Sequence, residues 1–135
     1  MVLTTLNARA GNPHSTTCCT YTVHMLVEKW NGTAWTVQTS APGGNNFQLL
    51  DIGCTTSTAC TAVGDYFSQT EPLASPTAYR WNGTHWTSQV TGSWFGVSAF
   101  VGVDCPAARK CFAVGHAGPD LVISRWNGTA WTRQR

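Results

Sequence analysis

Charged side chains are scarce in this sequence. Asp, Glu, Lys and Arg together make up 10% of the 135 residues, against roughly 25% in an ordinary globular domain. The formal net charge is only +2, and the sequence has no run of lysines or arginines. Because nucleic acids and anionic membranes are bound by basic patches or stripes, we predict neither as a partner.

Long apolar stretches and catalytic signatures are also missing. A membrane-spanning helix needs about 18–20 consecutive apolar residues, and every apolar stretch of this sequence is much shorter. The sequence contains no GxSxG, Walker, GxGxxG or HExxH motif, and its four histidines share no spacing typical of a metal site. We therefore predict no membrane span, metal or cofactor, and favour a non-enzyme.

The six cysteines include two pairs with the same spacing. Cys54 and Cys60 are six positions apart, as are Cys105 and Cys111, and the second pair follows the first by 51 residues. Zinc sites usually have two to four residues between cysteines and further ligands nearby, so the disulfides Cys54–Cys60 and Cys105–Cys111 are the better interpretation. Disulfides persist in oxidising compartments, which predicts an extracellular or cell-surface protein.

The N-terminal segment, residues 1–22, does not follow this pattern. Cys18 and Cys19 are adjacent and out of register, so they could pair with each other, pair between chains or remain reduced. The segment lacks the apolar region of a signal peptide. We expect a piece of a longer exported protein, a mature or engineered form, or a truncated reading frame.

A tryptophan-bearing hexapeptide occurs three times, as WNGTAW at 30–35, WNGTHW at 81–86 and WNGTAW at 126–131. The intervals are 51 and 45 residues, whereas AVG at 62–64 and 113–115 recurs after 51. The length difference therefore lies in the loop after AVG. Each full repeat reads as four short strands separated by Gly, Pro and Asn turns, which predicts an all-β protein.

The Asn-Gly step of each hexapeptide predicts a two-residue type I′ hairpin turn. Such a turn would place Trp30 opposite Thr33 and Lys29 opposite Ala34. The two tryptophans of a copy would then be diagonal neighbours on one face, which we expect to pack against the next unit. The residues of this predicted structural hairpin are Trp30, Trp35, Trp81, Trp86, Trp126 and Trp131. Basic residues precede the first tryptophan of each copy and would lie opposite the fifth hexapeptide position: Lys29, Arg80 and Arg125 opposite Ala34, His85 and Ala130.

The repeat is similar to that of a known family. A repeated four-stranded unit of about 45–50 residues is typical of a β-propeller blade. The segments IGCTTSTACTAVG, VDCPAARKCFAVG, HMLVEKWNGTAW and LVISRWNGTAW resemble the WNGTxW repeat proteins of exported bacterial, especially actinobacterial, β-propellers. This resemblance specifies a scaffold and brings no agreed catalytic residues.

The resemblance covers residues 23–135 and implies about two and a half antiparallel blades. They are a partial blade, read as a hairpin, with its linker at 23–46, a blade with its linker at 47–97, and a blade at 98–135. Residues 1–22 match poorly, since neither a leading strand nor AVG can be read there. Closed propellers contain about 4–8 blades, so we expect self-association, further blades in a longer chain, or an open stack.

Residues that interrupt the repeat are the candidates for ligand binding, because sites are built from variable residues on a fixed scaffold. They are Trp94 in a linker, Asp65 and Tyr66 after AVG, His116 at the position equivalent to Asp65, and His85 where the other copies have alanine. We predict a non-catalytic extracellular binding or adhesion module with a carbohydrate-type ligand. The alternatives are a fragment of a sialidase-like propeller glycosidase, which needs two carboxylates about 5–9.5 Å apart, or a purely structural segment that assembles with other blades.

Overall fold

A computed structural model describes residues 2–10, 20–38, 47–67, 74–92 and 98–134 of the chain. These residues form eleven strands and no helix. The strands are β1 Val2–Ala10, β2 Thr20–Trp30, β3 Trp35–Gln38, β4 Phe47–Thr56, β5 Ala59–Phe67, β6 Ala74–Trp81, β7 Trp86–Ser88, β8 Ser98–Ala107, β9 Lys110–Ala117, β10 Asp120–Trp126 and β11 Trp131–Gln134. The predicted all-β class is confirmed, and within the described ranges no helix is long and apolar enough to cross a membrane.

The strands form three antiparallel sheets, in each of which neighbours in sequence are neighbours in space. Sheet 1 has the order β1-β2-β3, sheet 2 the order β4-β5-β6-β7, and sheet 3 the order β8-β9-β10-β11. The four-stranded units predicted for the two full repeats are therefore present.

Sheet 1 differs from the predicted hairpin because it has a third strand. β1 pairs with β2 over nine residue pairs, from Val2↔Glu28 to Ala10↔Thr20. An antiparallel ladder is held by backbone hydrogen bonds, so β1 can occupy the place that β5 has in sheet 2 without an AVG sequence. Neither a leading strand nor AVG could be read in residues 1–22 of the sequence, and the structure places β1 within that segment.

The three sheets are stacked face to face. We call the face of each sheet that carries its two tryptophans the Trp face, and the opposite face the back face. The Trp face of sheet 2 packs against the back face of sheet 1, where Val27 joins the core around Trp81 and Trp86. The Trp face of sheet 3 packs against the back face of sheet 2, where Val63 and Ala78 are covered by a cluster that contains Trp126 and Trp131. The Trp faces of sheets 2 and 3 therefore contact the preceding unit, not the next one as predicted.

The hexapeptide hairpin has a four-residue loop in place of the predicted two-residue turn. Trp30 pairs directly with Trp35, and the Asn31 amide donates to the carbonyl of Ala34 at 3.1 Å. The Asn31 side-chain oxygen accepts hydrogen bonds from the backbone amides of Thr33 and Ala34, both at 2.9 Å. Asparagine stabilises turns through such side-chain bonds, and here they hold the four-residue loop closed. The other two copies form the same loop.

The change of register alters which residues face each other. The ring centroids of the paired tryptophans lie 5.5, 5.5 and 5.9 Å apart in sheets 1, 2 and 3. The basic residue before each pair lies opposite a threonine rather than opposite Ala34, His85 or Ala130. The three pairs are Lys29↔Thr36, Arg80↔Thr87 and Arg125↔Thr132. In each pair the threonine hydroxyl donates to the backbone carbonyl of the basic residue.

Both predicted disulfides are present. Cys54 bonds to Cys60, and Cys105 bonds to Cys111, in each case across the turn between the first two strands of a four-stranded sheet. The Cα atoms are 3.9 and 4.0 Å apart, so each disulfide closes a short hairpin within one sheet. Cys18 and Cys19 lie outside the described residues.

Candidate functional site

The predicted ligand-binding residues do not form one cluster. His85 lies in the loop beside the Cys54–Cys60 turn, because Trp81 pairs with Cys60. Asp65 is five residues further along β5, about 16 Å away at the strand rise of about 3.3 Å per residue. His85 is therefore at the opposite end of sheet 2 from Asp65 and Tyr66. Trp94 lies outside the described residues.

His85 is engaged within its own loop. The side chain is exposed, and its ring nitrogens lie 3.2–3.3 Å from the Asn82 amide nitrogen. The Thr84 hydroxyl is 3.0 Å from Nδ1. These contacts give His85 a role in fastening the loop.

Tyr66 is part of an aromatic group on the Trp face of sheet 2. Its ring centroid is 4.6 Å from that of Phe47, which in turn lies 6.0 Å from the ring of Tyr79. Aromatic pairs at such distances stabilise packing by about 0.5–1.5 kcal/mol. Tyr66 is thus placed as a packing residue.

Asp65 is a buried acid on the back face of sheet 2. Its side chain is 6% exposed, and Oδ1 has no hydrogen-bond partner. Burial raises the pKa of Asp65 from 3.8 to about 6, although a backbone hydrogen bond and the charge of His116 act in the opposite direction. A carboxyl with such a pKa changes its protonation near neutral pH, and an unpaired buried carboxylate is costly.

The stability of the protein is expected to fall as the pH rises through the pKa of Asp65. Its pKa of about 6 in the folded state lies above the ordinary value of 3.8, so the folded chain binds this proton more tightly than the unfolded chain. The resulting stabilisation is complete below about pH 4 and is lost as the pH passes 6; a shift of this size corresponds to about 2–3 kcal/mol. Urea denaturation between pH 4 and 7 measures the slope.

The variant Asp65→Asn should remove this part of the pH dependence. The matched control is Asp104→Asn, which alters an exposed acid of sheet 3 and should leave the slope in place. An unchanged slope in Asp65→Asn would contradict the assignment.

Two surfaces at the ends of the stack stand out more than the individual predicted residues. The first, which we call the open Trp face, belongs to sheet 1 and carries Trp30, Trp35 and Val37. The two indoles are 47% and 48% exposed, whereas those of Trp81, Trp86, Trp126 and Trp131 are 4%, 2%, 7% and 4% exposed. One hexapeptide in three therefore presents its tryptophans to solvent.

The second surface, which we call the open back face, belongs to sheet 3. It carries Phe112, Val114 and Ile123, all exposed, and strand alternation places His116 on the same face. The positions equivalent to these three apolar residues in sheet 2 are Thr61, Val63 and Ala78, which are fully buried against sheet 3. Exposed apolar patches mark interaction sites, so these two faces are the candidate functional site.

Polar contacts join the units where they stack. The Trp131 indole N–H donates to Gln89 Oε1 at 3.0 Å, and the Arg80 guanidinium donates to the Ala108 carbonyl at 3.0 Å. Asp51 Oδ2 accepts a hydrogen bond from the Val103 amide at 2.8 Å. Sequence reasoning missed the roles of Gln89 and Asp51. The sequence did contain a pattern that points to Gln89. A glutamine follows the second tryptophan by three positions in every copy of the hexapeptide: Gln38, Gln89 and Gln134.

Other kinds of site have less support. Among the described residues no group of three or more His, Cys, Asp or Glu side chains is arranged to hold a metal ion. Comparison with known protein families, curated proteins and solved structures finds no match to this chain. The two open faces are therefore the features of the molecule that bear on its function.

Proposed function

We propose that this chain is a non-catalytic repeat segment of an exported β-propeller-type protein, and that it assembles with further units of its own kind. One observation carries the proposal. The open Trp face and the open back face are apolar and exposed, while the equivalent faces within the stack are buried. An assembly that added a unit at either end would bury apolar surface in the way the chain already does twice.

Three further features support this proposal. The sheets are antiparallel with sequential strands, as in propeller blades. The sequence resembles WNGTxW repeats of exported propellers. The two disulfides favour an oxidising location outside the cytosol.

A tandem protein tests whether the open back face accepts another unit. Gln134 and Gln89 are equivalent, so residues 90–135 can be joined directly after residue 134 and would supply an additional sheet with its own tryptophan pair. If this sheet stacks on the open back face, the burial of several apolar side chains should raise the free energy of unfolding by at least about 2 kcal/mol. The urea m-value should also increase with the surface buried. Equilibrium unfolding of dilute oxidised protein measures both.

The matched control carries serine in place of both tryptophans of the added unit, so that it has no Trp face to dock. It should unfold with the midpoint of the original chain. An added unit with intact tryptophans that brings no stability would refute the proposed function.

Carbohydrate binding stays a prediction of the sequence. Its leading residue, Trp94, lies outside the described residues. His85 is hydrogen-bonded within its own loop, and Tyr66 packs against Phe47. Screening the folded chain and its Trp94→Ala variant against a glycan array tests this prediction, which fails if neither protein retains a glycan.

A further inference from the structure

We propose that the open back face of one chain docks onto the open Trp face of a second copy of this chain. This inference rests on the proposed function, and it names the partner that supplies the missing units. The contact is continuous with the stacking interfaces inside the chain, because each chain carries both halves of that interface at opposite ends of its stack.

The internal interface between sheets 2 and 3 shows what such a contact buries. Val63 and Ala78 on the back face of sheet 2 are fully buried in the cluster that contains Trp126 and Trp131. Their equivalents on sheet 3, Val114 and Ile123, are about half exposed. A second copy whose Trp30 and Trp35 took the places of Trp126 and Trp131 would cover them.

The sizes of the exposed side chains fit a three-stranded partner. Within the chain, Phe100 from β8 contributes to the surface that covers sheet 2. The described part of sheet 1 has three strands and no counterpart of β8, so these strands bring less volume to the contact than sheet 3 does. The open back face has phenylalanine at 112 and isoleucine at 123 where sheet 2 has Thr61 and Ala78. In the docked pair, the larger side chains of Phe112 and Ile123 would fill the volume that β8 fills within the chain.

A hydrogen bond is also available to this contact. Within the chain, the Trp131 indole N–H donates to Gln89 Oε1. In the docked pair, Gln134 takes the place of Gln89. Trp35 of the second copy takes the place of Trp131. The amide nitrogen of Gln134 donates to the Thr132 carbonyl at 2.9 Å, which leaves Oε1 to accept from an indole. The bond accompanies stacking without being required for it, since the buried Trp86 indole has no partner between sheets 1 and 2.

The contact joins two different surfaces and is therefore heterologous. Each added copy leaves one open face for the next copy until the ring closes. Two copies together have six sheets, and closed propellers contain about 4–8 blades. We therefore expect a dimer with two identical contacts and about twice the 14.6 kDa mass of the chain.

Sedimentation velocity of the oxidised full chain over a range of concentrations tests the proposal. Trp35→Lys places a charge on the open Trp face, at the position whose equivalents Trp86 and Trp131 are buried within the stack, and Ile123→Lys places one on the open back face. Each variant alone should be monomeric. An equimolar mixture should associate, because the intact back face of the first variant can bind the intact Trp face of the second.

The matched control is Ser57→Lys, which adds the same charge in the exposed turn between β4 and β5 and should associate like the original chain. Circular dichroism should show that all three variants remain folded, since each altered side chain is exposed. Gln134→Ala should weaken association about five- to tenfold through loss of one buried hydrogen bond, while Gln134→Glu retains an acceptor and should weaken it less.

Several outcomes would overturn the inference. They are a monomeric original chain at every concentration, a mixture of the two variants that stays monomeric, and an Ile123→Lys variant that dimerises while Trp35→Lys does not. The last would mean that two open Trp faces bind each other. A monomeric chain combined with a stabilised tandem protein would refute the second copy as partner and leave the proposed function standing.

Discussion

Replacement of Trp131 with alanine is expected to lower the free energy of unfolding by about 3–5 kcal/mol, the usual cost of removing a buried aromatic side chain. Trp131 is 4% exposed, and its ring centroid lies 5.5 Å from that of Phe100 and 5.9 Å from that of Trp126. The substitution also removes the donor to Gln89 Oε1, which leaves a buried polar group without its partner. Urea denaturation of the oxidised protein measures the loss.

The repeat offers a matched control for this experiment. Trp35 occupies the same position in the first hexapeptide, but it is 48% exposed. Trp35→Ala should cost about 1 kcal/mol or less in dilute protein, where chains do not associate. Trp131→Phe, which keeps a ring and loses the indole N–H, should fall between the two. Equal losses for Trp35→Ala and Trp131→Ala would contradict the described stacking order.

The strands and disulfides were predictable because they depend on short-range patterns. The spacing of Cys54 and Cys60 and the recurrence of AVG specified two four-stranded units, and the structure has them. The hairpin register was not predictable from Asn-Gly alone. The side chain of Asn31 bonds to two backbone amides and holds a four-residue loop, which overrides the preference of the dipeptide for a two-residue turn.

The candidate site was predicted less well than the fold, for reasons of geometry. Strand alternation and the hairpin register predict that Trp30 and Trp35 share a face of the sheet. They do not predict whether that face packs against the preceding or the following unit. The position of Asp65 after AVG suggested a loop residue, yet β5 continues to Phe67 and carries Asp65 into the contact between sheets. The two open faces are distinguished from their buried equivalents by their exposure, and exposure depends on how the sheets stack, which the sequence pattern does not specify.

The glycine of AVG is packed against the backbone of the preceding strand. Gly64 pairs with Leu49, and Gly115 pairs with Phe100, in both cases beside a register shift that marks a β-bulge. A Cβ atom on Gly115 would overlap the carbonyl oxygen of Ala99, and one on Gly64 would overlap that of Gln48. The recurrence of this glycine is therefore explained by the close approach of two backbones at the bulge.

Gly115→Ala is accordingly expected to destabilise the protein by about 4 kcal/mol or more, or to prevent folding. Overpacking usually costs about 1–3 kcal/mol when side chains can adjust. Here the obstacle is a backbone carbonyl of β8, a strand that is bonded to β9 and tied to sheet 2 through the contact of Val103 with Asp51. The yield of oxidised protein and its urea denaturation curve measure the effect.

Gly118→Ala provides the comparison within the same sheet. Gly118 has a φ of +60° with no atom near its missing Cβ, so alanine there bears only the cost of a left-handed backbone, about 1–2 kcal/mol. The difference between the two variants isolates the steric overlap at the bulge from the general cost of replacing a glycine. If Gly115→Ala were as mild as Gly118→Ala, β8 and β9 could separate at the bulge without loss. The AVG glycine would then need an explanation other than close packing.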